Sequence, residues 1–429
     1  MKLFADRNHF NGQSAPFLTF SPSHFLAFSL LLITGCVTPP GPGLKPAAVP
    51  ALRQVATENF PRFSDTAGKA SFLLAAERSA SYFDSFKGKK KFYRVTDRKV
   101  TPELLGRTVR ELAKIMKEAA DENELNRRIR EKFDLFRSAG SDGEGRVVFS
   151  SYYEPVLDAS LTRTPEYAYP IYARPKDLVT VNLENFDGTK WKGEKVNGRL
   201  KDGQIVPYFS REQIDFKKVF KGKGLELAWL KNRADIMDLH IEGSGKLRLP
   251  DGKIIKAGFA ATNGLPFKGW MTVLTNSGVI PGNEITHEKA KKYLLEHQDA
   301  EPWILSTNRR YTFFQLTEMN DPLEGPTGTI GVPLVAGRSA AVDAQIFPLG
   351  ALAYMEAPLP QVDDKGNVLG IAADSRFVLC QDTGGAILGP GRVDFFAGSG
   401  PKAKAFAFNL WESGKFYLLL LKFTDADSI

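Results

Sequence analysis

RFVLCQDTGGAILGPGRVDFFAG, residues 376–398, is the stretch on which the fold turns. Phe377 to Gln381 is a short apolar run with the length of a strand rather than a helix. Thr383-Gly384-Gly385 and then Gly389-Pro390-Gly391 break the chain before a second apolar run, Val393 to Phe396. Each run carries an aspartate. Asp382 closes the first, and Asp394 stands between Val393 and Phe395 in the second. An acid flanked by bulky apolar residues is either a turn or strand-end residue, or a group whose pKa is raised by desolvation. Asp343 ends a third strand-like run, SAAVD (339–343). For any single one of the three the turn reading suffices. Three such acids in one apolar β-rich region point to carboxylate chemistry.

Around this stretch the chain keeps the same texture. IGVPLV (330–335), SAAVDAQIFPLG (339–350), ALAYMEA (351–357) and KFYLLLLKF (415–423) read as short strands. From Val147 onward, β-branched and aromatic segments alternate with turns at NFDGTK (185–190), VNGRLKDGQ (196–204) and LPDGK (249–253). One helix interrupts them at 286–297, with Thr286 as its N-cap. Residues 64–86 look partly helical. Thr101-Pro102-Glu103 starts a helix, with an N-cap, a proline at its first position and an early acid. Leu105, Val109, Leu112 and Met116, then Leu125, Ile129, Phe133 and Phe136, predict an antiparallel helix pair. Before it lies a basic run, Lys87, Lys89, Lys90, Lys91, Arg94, Arg98 and Lys99, with Phe92 and Tyr93 inside it. It reads as a solvated face, and no nucleic-acid partner is expected.

The first residues are of another kind. Phe25–Ile33 is an uninterrupted nine-residue run with Lys2 and Arg7 upstream. A bilayer-spanning helix needs ~20 apolar residues, so the run has the length of a signal-peptide core instead. Ile33-Thr34-Gly35-Cys36 follows it directly and resembles a bacterial lipoprotein box, with Cys36 as the lipidated residue. The stretch VTPPGPGLKPAAVPA (37–51) reads as an extended tether. Cys380, the second of two cysteines, reads as a small core residue.

The chain has 429 residues, 43% hydrophobic and 25% charged, enough for two or three domains with full cores. Lys+Arg 57 against Asp+Glu 49 gives +8, which suits an anionic partner. Several chemistries can be struck off. There is no HExxH or clustered His/Cys set for zinc, no G-x-S-x-G nucleophile turn, and Ser244 in EGSGK lacks the pattern of a P-loop. Asp382-Thr383-Gly384 resembles an aspartic-protease turn, but that chemistry needs two such turns and Asp374-Ser375-Arg376 lacks the glycine. No metal or cofactor is expected.

In the light of these residues the chain resembles the membrane-bound lytic murein transglycosylase A family, whose C-terminal part is the 3D domain, named for three aspartates. The resemblance runs through SSYYEPVLDASLTRTPEYAYPIYARPKDLV (150–179), DLHIEGSGKLRLPDGK (238–253), NRRYTFF (308–314), the SAAVD segment and QDTGGAILGPGRVDFFAG (381–398). The chain departs from the family at Ser151, at Thr262 and at Glu242, where the family has glutamine.

The resemblance implies a mainly β fold with a helical N-terminal part. A double-psi β-barrel domain and a smaller inserted β-domain would flank a groove. Its expected divisions are a signal peptide (1–35), the lipidated cysteine and tether (36–63), helices and first barrel segment (64–160), inserted domain (161–324) and barrel (325–429). It implies cleavage of the β-1,4 bond between N-acetylmuramic acid and N-acetylglucosamine in peptidoglycan, leaving 1,6-anhydromuramic acid ends. Asp394 would be the catalytic acid and base, supported by Asp382. Tyr152, Tyr153, Glu154, Asp343, Gly384 and Gly385 would bind substrate, and Trp411 is a further stacking candidate. The implied place is the outer membrane, facing the periplasm, with the lipid anchor, glycan strands and a wall-synthesis complex as partners. Two alternatives stay open: a non-catalytic wall-binding protein on an expansin-like barrel, and a two-carboxylate glycoside hydrolase.

Overall fold

The structure, a computed structural model, describes residues 50–423 apart from 90, 192, 320, 322 and 323. The signal segment and Cys36 lie outside the described residues. The chain begins with β1 (Leu52–Val55), then α1 (Lys69–Asp84), α2 (Pro102–Glu118), α3 (Glu122–Lys132), β2 (Phe133–Ser138) and β3 (Val147–Glu154). After Pro155 it enters β4 (Val156–Ser160), β5 (Tyr169–Tyr172), β6 (Glu226–Leu230), α4 (Arg233–Glu242), β7 (Gly245–Arg248), β8 (Ile254–Thr262), α5 (His287–Glu296) and β9 (Thr312–Glu318). It returns as β10 (Ser339–Ala341), β11 (Leu352–Val362), β12 (Val368–Asp382), β13 (Arg392–Ser399), α6 (Gly400–Asn409) and β14 (Glu412–Leu421). Shorter helical turns and two small sheets complete the described chain.

The first sheet closes into a six-stranded barrel in the order β14-β11-β12-β10-β13-β3, because β3 pairs back onto β14. β2 and β1 extend it from β14. The pairs β10–β12 and β13–β3 are parallel and the others antiparallel. Parallel neighbours need a long crossover, and between β3 and β13 that crossover contains the whole second sheet. β14 meets β11 over Lys415–Leu418 and β3 over Glu412–Gly414. At that change of partner a Cβ on Gly414 would lie 2.2 Å from the Glu356 carbonyl oxygen, so closure requires glycine there. The second sheet has the order β9-β8-β7-β4-β6-β5, and a bridge from Ala173 to Phe314 brings its two ends together.

Local chemistry explains the helices. Thr101 caps α2 by accepting the Leu104 N–H at 3.1 Å, and Asp121 caps α3 by accepting that of Glu124 at 2.9 Å. Phe72, Ala75, Ala76, Ala80 and Phe83 give α1 one buried face, which packs on α2 and the barrel. The expected helix pair is therefore corrected: α2 packs chiefly on α1, not α3. The helical spacing that reaches Phe133 and Phe136 ends at Lys132, where the chain turns into β2. The tether also ends earlier than 63, since Leu52–Val55 pairs with β2 and Phe63 is fully buried. The inserted domain starts at Val156, in β4, rather than at 161. Two helices, α4 and α6, stand where the sequence suggested only strands.

One buried ion pair fastens the N-terminal segment to the barrel. Arg338, fully enclosed just before β10, makes two 2.7 Å contacts to the Asp65 carboxylate. It also donates to the carbonyls of Phe377 and Gly68 and to the Ser71 hydroxyl. Removing one partner of a buried pair leaves an uncompensated charge, a loss of about 3–5 kcal/mol. Arg338→Met is therefore expected to lower stability by about that amount, read from urea unfolding followed by fluorescence. A loss below about 1 kcal/mol would show that the pair does not carry the segment.

Candidate active site

The closure of the barrel places two of the three aspartates at one level, on either side of β10. β10 lies between β12 and β13, and Ala341 is opposite Asp382 on one side and Asp394 on the other. On β3, Ser150 is the register partner of Asp394. Both carboxylates open onto a groove of roughly 670 Å³ between the barrel and the second sheet. Tyr152, Thr329, Gly384 and Gly385 line the barrel side, and His240, Glu242, Lys256 and Arg310 the inserted side.

The two acids are held differently. Asp394 Oδ1 accepts the Ser150 hydroxyl at 2.6 Å, and Ser150 Oγ in turn accepts from the Arg392 guanidinium at 2.9 Å. The Phe395 backbone N–H is a further donor to the carboxylate. Desolvation pushes the Asp394 pKa above the usual carboxylate range, and the negative charge of Asp382 pushes the same way. The Ser150 hydrogen bond and Arg392 oppose them without reversing the shift. Asp382 faces only donors. Its Oδ2 accepts the Tyr152 hydroxyl at 2.8 Å, and its Oδ1 accepts the Thr329 N–H at 3.0 Å and the Thr329 hydroxyl at 2.8 Å. Tyr152 also rests against Phe396, with ring centroids 5.4 Å apart.

Other expected residues lie elsewhere. Asp343 does not line the groove. Its carboxylate accepts the N–H of Gln345 at 2.9 Å and that of Gly389 at 2.7 Å, which braces the loop after β12. Tyr153 is 4% exposed and packs on Phe408, so its expected contact with substrate gives way to a place in the packing. Glu154 is likewise corrected, being fully enclosed. Its carboxylate lies 3.3 Å from Lys246 and accepts the Ser399 hydroxyl at 2.9 Å, joining the two sheets instead of facing the groove. Burial raises its pKa, and Lys246 pulls it back. Trp411 is exposed, with the Arg392 guanidinium 4.6 Å from its ring centroid.

Arg392 and Thr329 had no signal in the sequence that marks them as site residues, and Glu242 stood out there only as a departure from the family pattern. Arg392 is two positions before Asp394 on the same strand, and so on the same face. Thr329 reaches Asp382 from a loop 53 residues away in sequence. Glu242, the last residue of α4, accepts the backbone N–H of Tyr153 at 3.3 Å. Burial lifts its pKa well above the usual range, and Asp394 and Asp238 add to the rise. His240 stands on the same wall. Its Nδ1 is 2.9 Å from the Arg211 guanidinium, which can only donate, so the ring proton sits on Nε2. Burial, then Arg211, keep that ring neutral.

A closed barrel and an inserted β-domain sharing a carboxylate-lined groove define a two-part β enzyme. Residues 148–315 match the model of the MltA specific insert domain, and residues 338–420 match that of the 3D domain. A Buchnera aphidicola protein named membrane-bound lytic murein transglycosylase A homolog is 28% identical over 294 residues, 68% of this chain and 70% of its own. The Escherichia coli (strain K12) membrane-bound lytic murein transglycosylase A is 28% identical over 272 residues, 63% of this chain and 64% of its own, so the match spans just under two thirds of that relative. The crystal structure of a membrane-bound lytic murein transglycosylase from Agrobacterium tumefaciens matches with TM-score 0.66 and 28% identity, over 87% of this chain and 98% of that one. That of E. coli MltA with bound chitohexaose matches with TM-score 0.64 and 21% identity, over 86% and 94%. The chain belongs to the membrane-bound lytic murein transglycosylase A family.

The two neighbours of Asp394 make opposite expectations. Asp382→Asn removes a negative charge and should lower the Asp394 pKa. Ser150→Ala removes a hydrogen bond to the charged form and should raise it. Carboxyl ¹³C shifts of Asp394 followed against pH read both, and shifts of the same sign in the two variants would contradict this electrostatic account.

Proposed function

We propose that the chain cleaves the β-1,4 bond between N-acetylmuramic acid and N-acetylglucosamine in peptidoglycan without consuming water. Asp394 acts as both acid and base. Its Oδ2–H passes a proton to the glycosidic oxygen as the bond to C1 breaks. The resulting carboxylate then takes the proton of the C6 hydroxyl, whose oxygen bonds to C1 and closes a 1,6-anhydro ring. One proton leaves the enzyme and one returns. The observation that carries this reading is the Asp394 carboxyl at the groove, with one oxygen held by Ser150 and burial favouring its acid form. Asp382 orders Tyr152 and Thr329, and its charge helps keep Asp394 protonated. Tyr152, Gly384 and Gly385 line the groove where the sugars would lie. A Cβ on Gly384 would come 2.8 Å from the Ile387 side chain, so glycine suits the tight turn in which the Ile387 N–H bonds back to the Gly384 carbonyl.

A hydrolase would need a second, unengaged carboxylate acting as base on water or as nucleophile. Asp382 is occupied by three donors, and Glu242 is held toward its acid form, so neither suits that task. Digestion of purified cell wall with mass analysis separates the readings. Products lacking one water, with anhydro ends, are expected, whereas mainly reducing ends would establish hydrolysis and no release would favour a wall-binding protein. Asp394→Asn should lower turnover by at least ~10²–10⁴-fold with sugar binding kept.

We also infer that the protein is an outer-membrane lipoprotein facing the periplasm, anchored through Cys36. No helix among the described residues is long and apolar enough to cross a membrane. Cys36→Ser should release the protein from the membrane fraction or leave it unprocessed. Membrane association and mature mass unchanged from the parent would exclude the anchor.

A further inference from the structure

Glu242 belongs to the inserted domain yet touches the barrel at one defined point. β13 has one residue more than β3 between the register pairs Phe396–Tyr152 and Ser399–Glu154. That bulge leaves the Tyr153 N–H outside the ladder, and Glu242 Oε2 accepts it at 3.3 Å. The Glu242 side chain is thereby fixed on the inserted side of the groove that Asp382 and Asp394 face from the barrel. Its other oxygen, Oε1, has no hydrogen bond among the described residues.

We propose that Glu242 is a specificity-determining residue of the groove, acting as a neutral hydrogen-bond donor to the glycan through Oε1–H. This rests on the glycan reading of the groove. The surroundings favour the acid form. Asp394 and Asp382 face the groove from the barrel, and Asp238 lies one turn earlier on α4. Glu242 also ends its helix, where the dipole disfavours a negative charge. Two cations stand on the same side, but the Lys256 ammonium is turned to the Gly325 carbonyl at 2.8 Å. The other is Arg310. His240 is neutral, His287 is engaged with Asp238 at 2.6 Å, and the phenols of Tyr152 and Tyr153 stay protonated through burial.

The consequence is a glycan affinity that depends on pH independently of Asp394. The acid form supplies a donor that matches a sugar hydroxyl or acetamido oxygen. The ionised form supplies only an acceptor and adds a third negative charge to the groove, unfavourable for a polymer bearing carboxylates. Since the Glu242 pKa is raised, the donor persists above the ordinary carboxylate range and is lost as pH rises through the raised value.

The test is chitohexaose binding by calorimetry, in an Asp394→Asn background so that neither cleavage nor Asp394 titration contributes. With Glu242 present, affinity should fall about three- to tenfold from acidic to alkaline pH, the range for one hydrogen bond. With Glu242→Gln, which keeps a neutral donor of the same shape, that fall should disappear while affinity at acidic pH stays. By linkage, saturating chitohexaose must also raise the Glu242 pKa, read from its carboxyl ¹³C shift in the Asp394→Asn protein itself. Equal pH dependence with glutamate and glutamine, or a Glu242 pKa unmoved by the ligand, would overturn the inference and leave the proposed function standing. Absence of chitohexaose binding at every pH by protein that circular dichroism shows to be folded would overturn both.

Discussion

Three residues, Ser339–Ala341, hold the two groove aspartates in register. β10 is parallel to β12 and antiparallel to β13, so its backbone bonds in both directions fix the level of Asp382 against that of Asp394 through Ala341. A strand this short has little pairing of its own to rely on. Side chains around it supply the rest. Ser339 donates to the buried Gln381 amide oxygen at 2.6 Å and accepts the Val335 N–H at 2.8 Å, while Gln381 donates to the Ala75 carbonyl on α1 at 2.9 Å. Arg338, next in the chain, carries the Asp65 pair. The N-terminal helices are thus coupled to the level of the two aspartate-bearing strands through buried polar contacts, and not only through the apolar face of α1.

The groove follows from where the chain leaves the barrel. β3 brings Ser150 and Tyr152 to the aspartates and ends at Glu154. Two residues later the chain is in the second sheet, where β4 runs parallel to β7. The junction is closed by Glu154, Lys246 and Ser399, with the Lys246 ammonium 3.1 Å from the Ser399 hydroxyl. Buried charges of this kind cost desolvation, and they are retained only where partners meet both groups. Glu154 and Ser399 come from the barrel and Lys246 from the second sheet, so the network sets how the inserted wall stands against the barrel floor.

Much of this was legible in the sequence. The short apolar runs around Asp382 and Asp394 declare strands, and the glycines between them declare turns. Thr101, Pro102 and Thr286 mark real helix starts. The failures have physical causes. In α4, Ala234, Ile236, Met237, Asp238, Leu239 and His240 are all buried, so no polar face remains to give a helical period. Phe133 and Phe136 continue the spacing of α3, yet tertiary pairing with β14 overrides it. Tyr153 and Glu154 adjoin Tyr152, and their fate depends on the second sheet covering that end of β3, which no local pattern encodes. Arg392 and Thr329 gain their roles only through register and a long loop.

Asp394 shows how opposed effects of similar size are balanced in such a site. Burial and Asp382 favour its proton, whereas Ser150 and Arg392 favour its loss. An acid pushed only one way would hold or release its proton too firmly to do both within one turnover. The Arg392 charge reaches Asp394 through Ser150, whose single proton goes to Oδ1, and the guanidinium itself lies against the Trp411 ring. That arrangement tempers the acid through one of its oxygens. On the other side the Lys256 ammonium is turned away to the Gly325 carbonyl, and burial keeps His240 neutral. In the mechanism proposed for it, desolvation favours the acid form that gives its proton to the glycosidic oxygen, and the opposing contacts ease that loss before the carboxylate takes the proton of the substrate's own C6 hydroxyl.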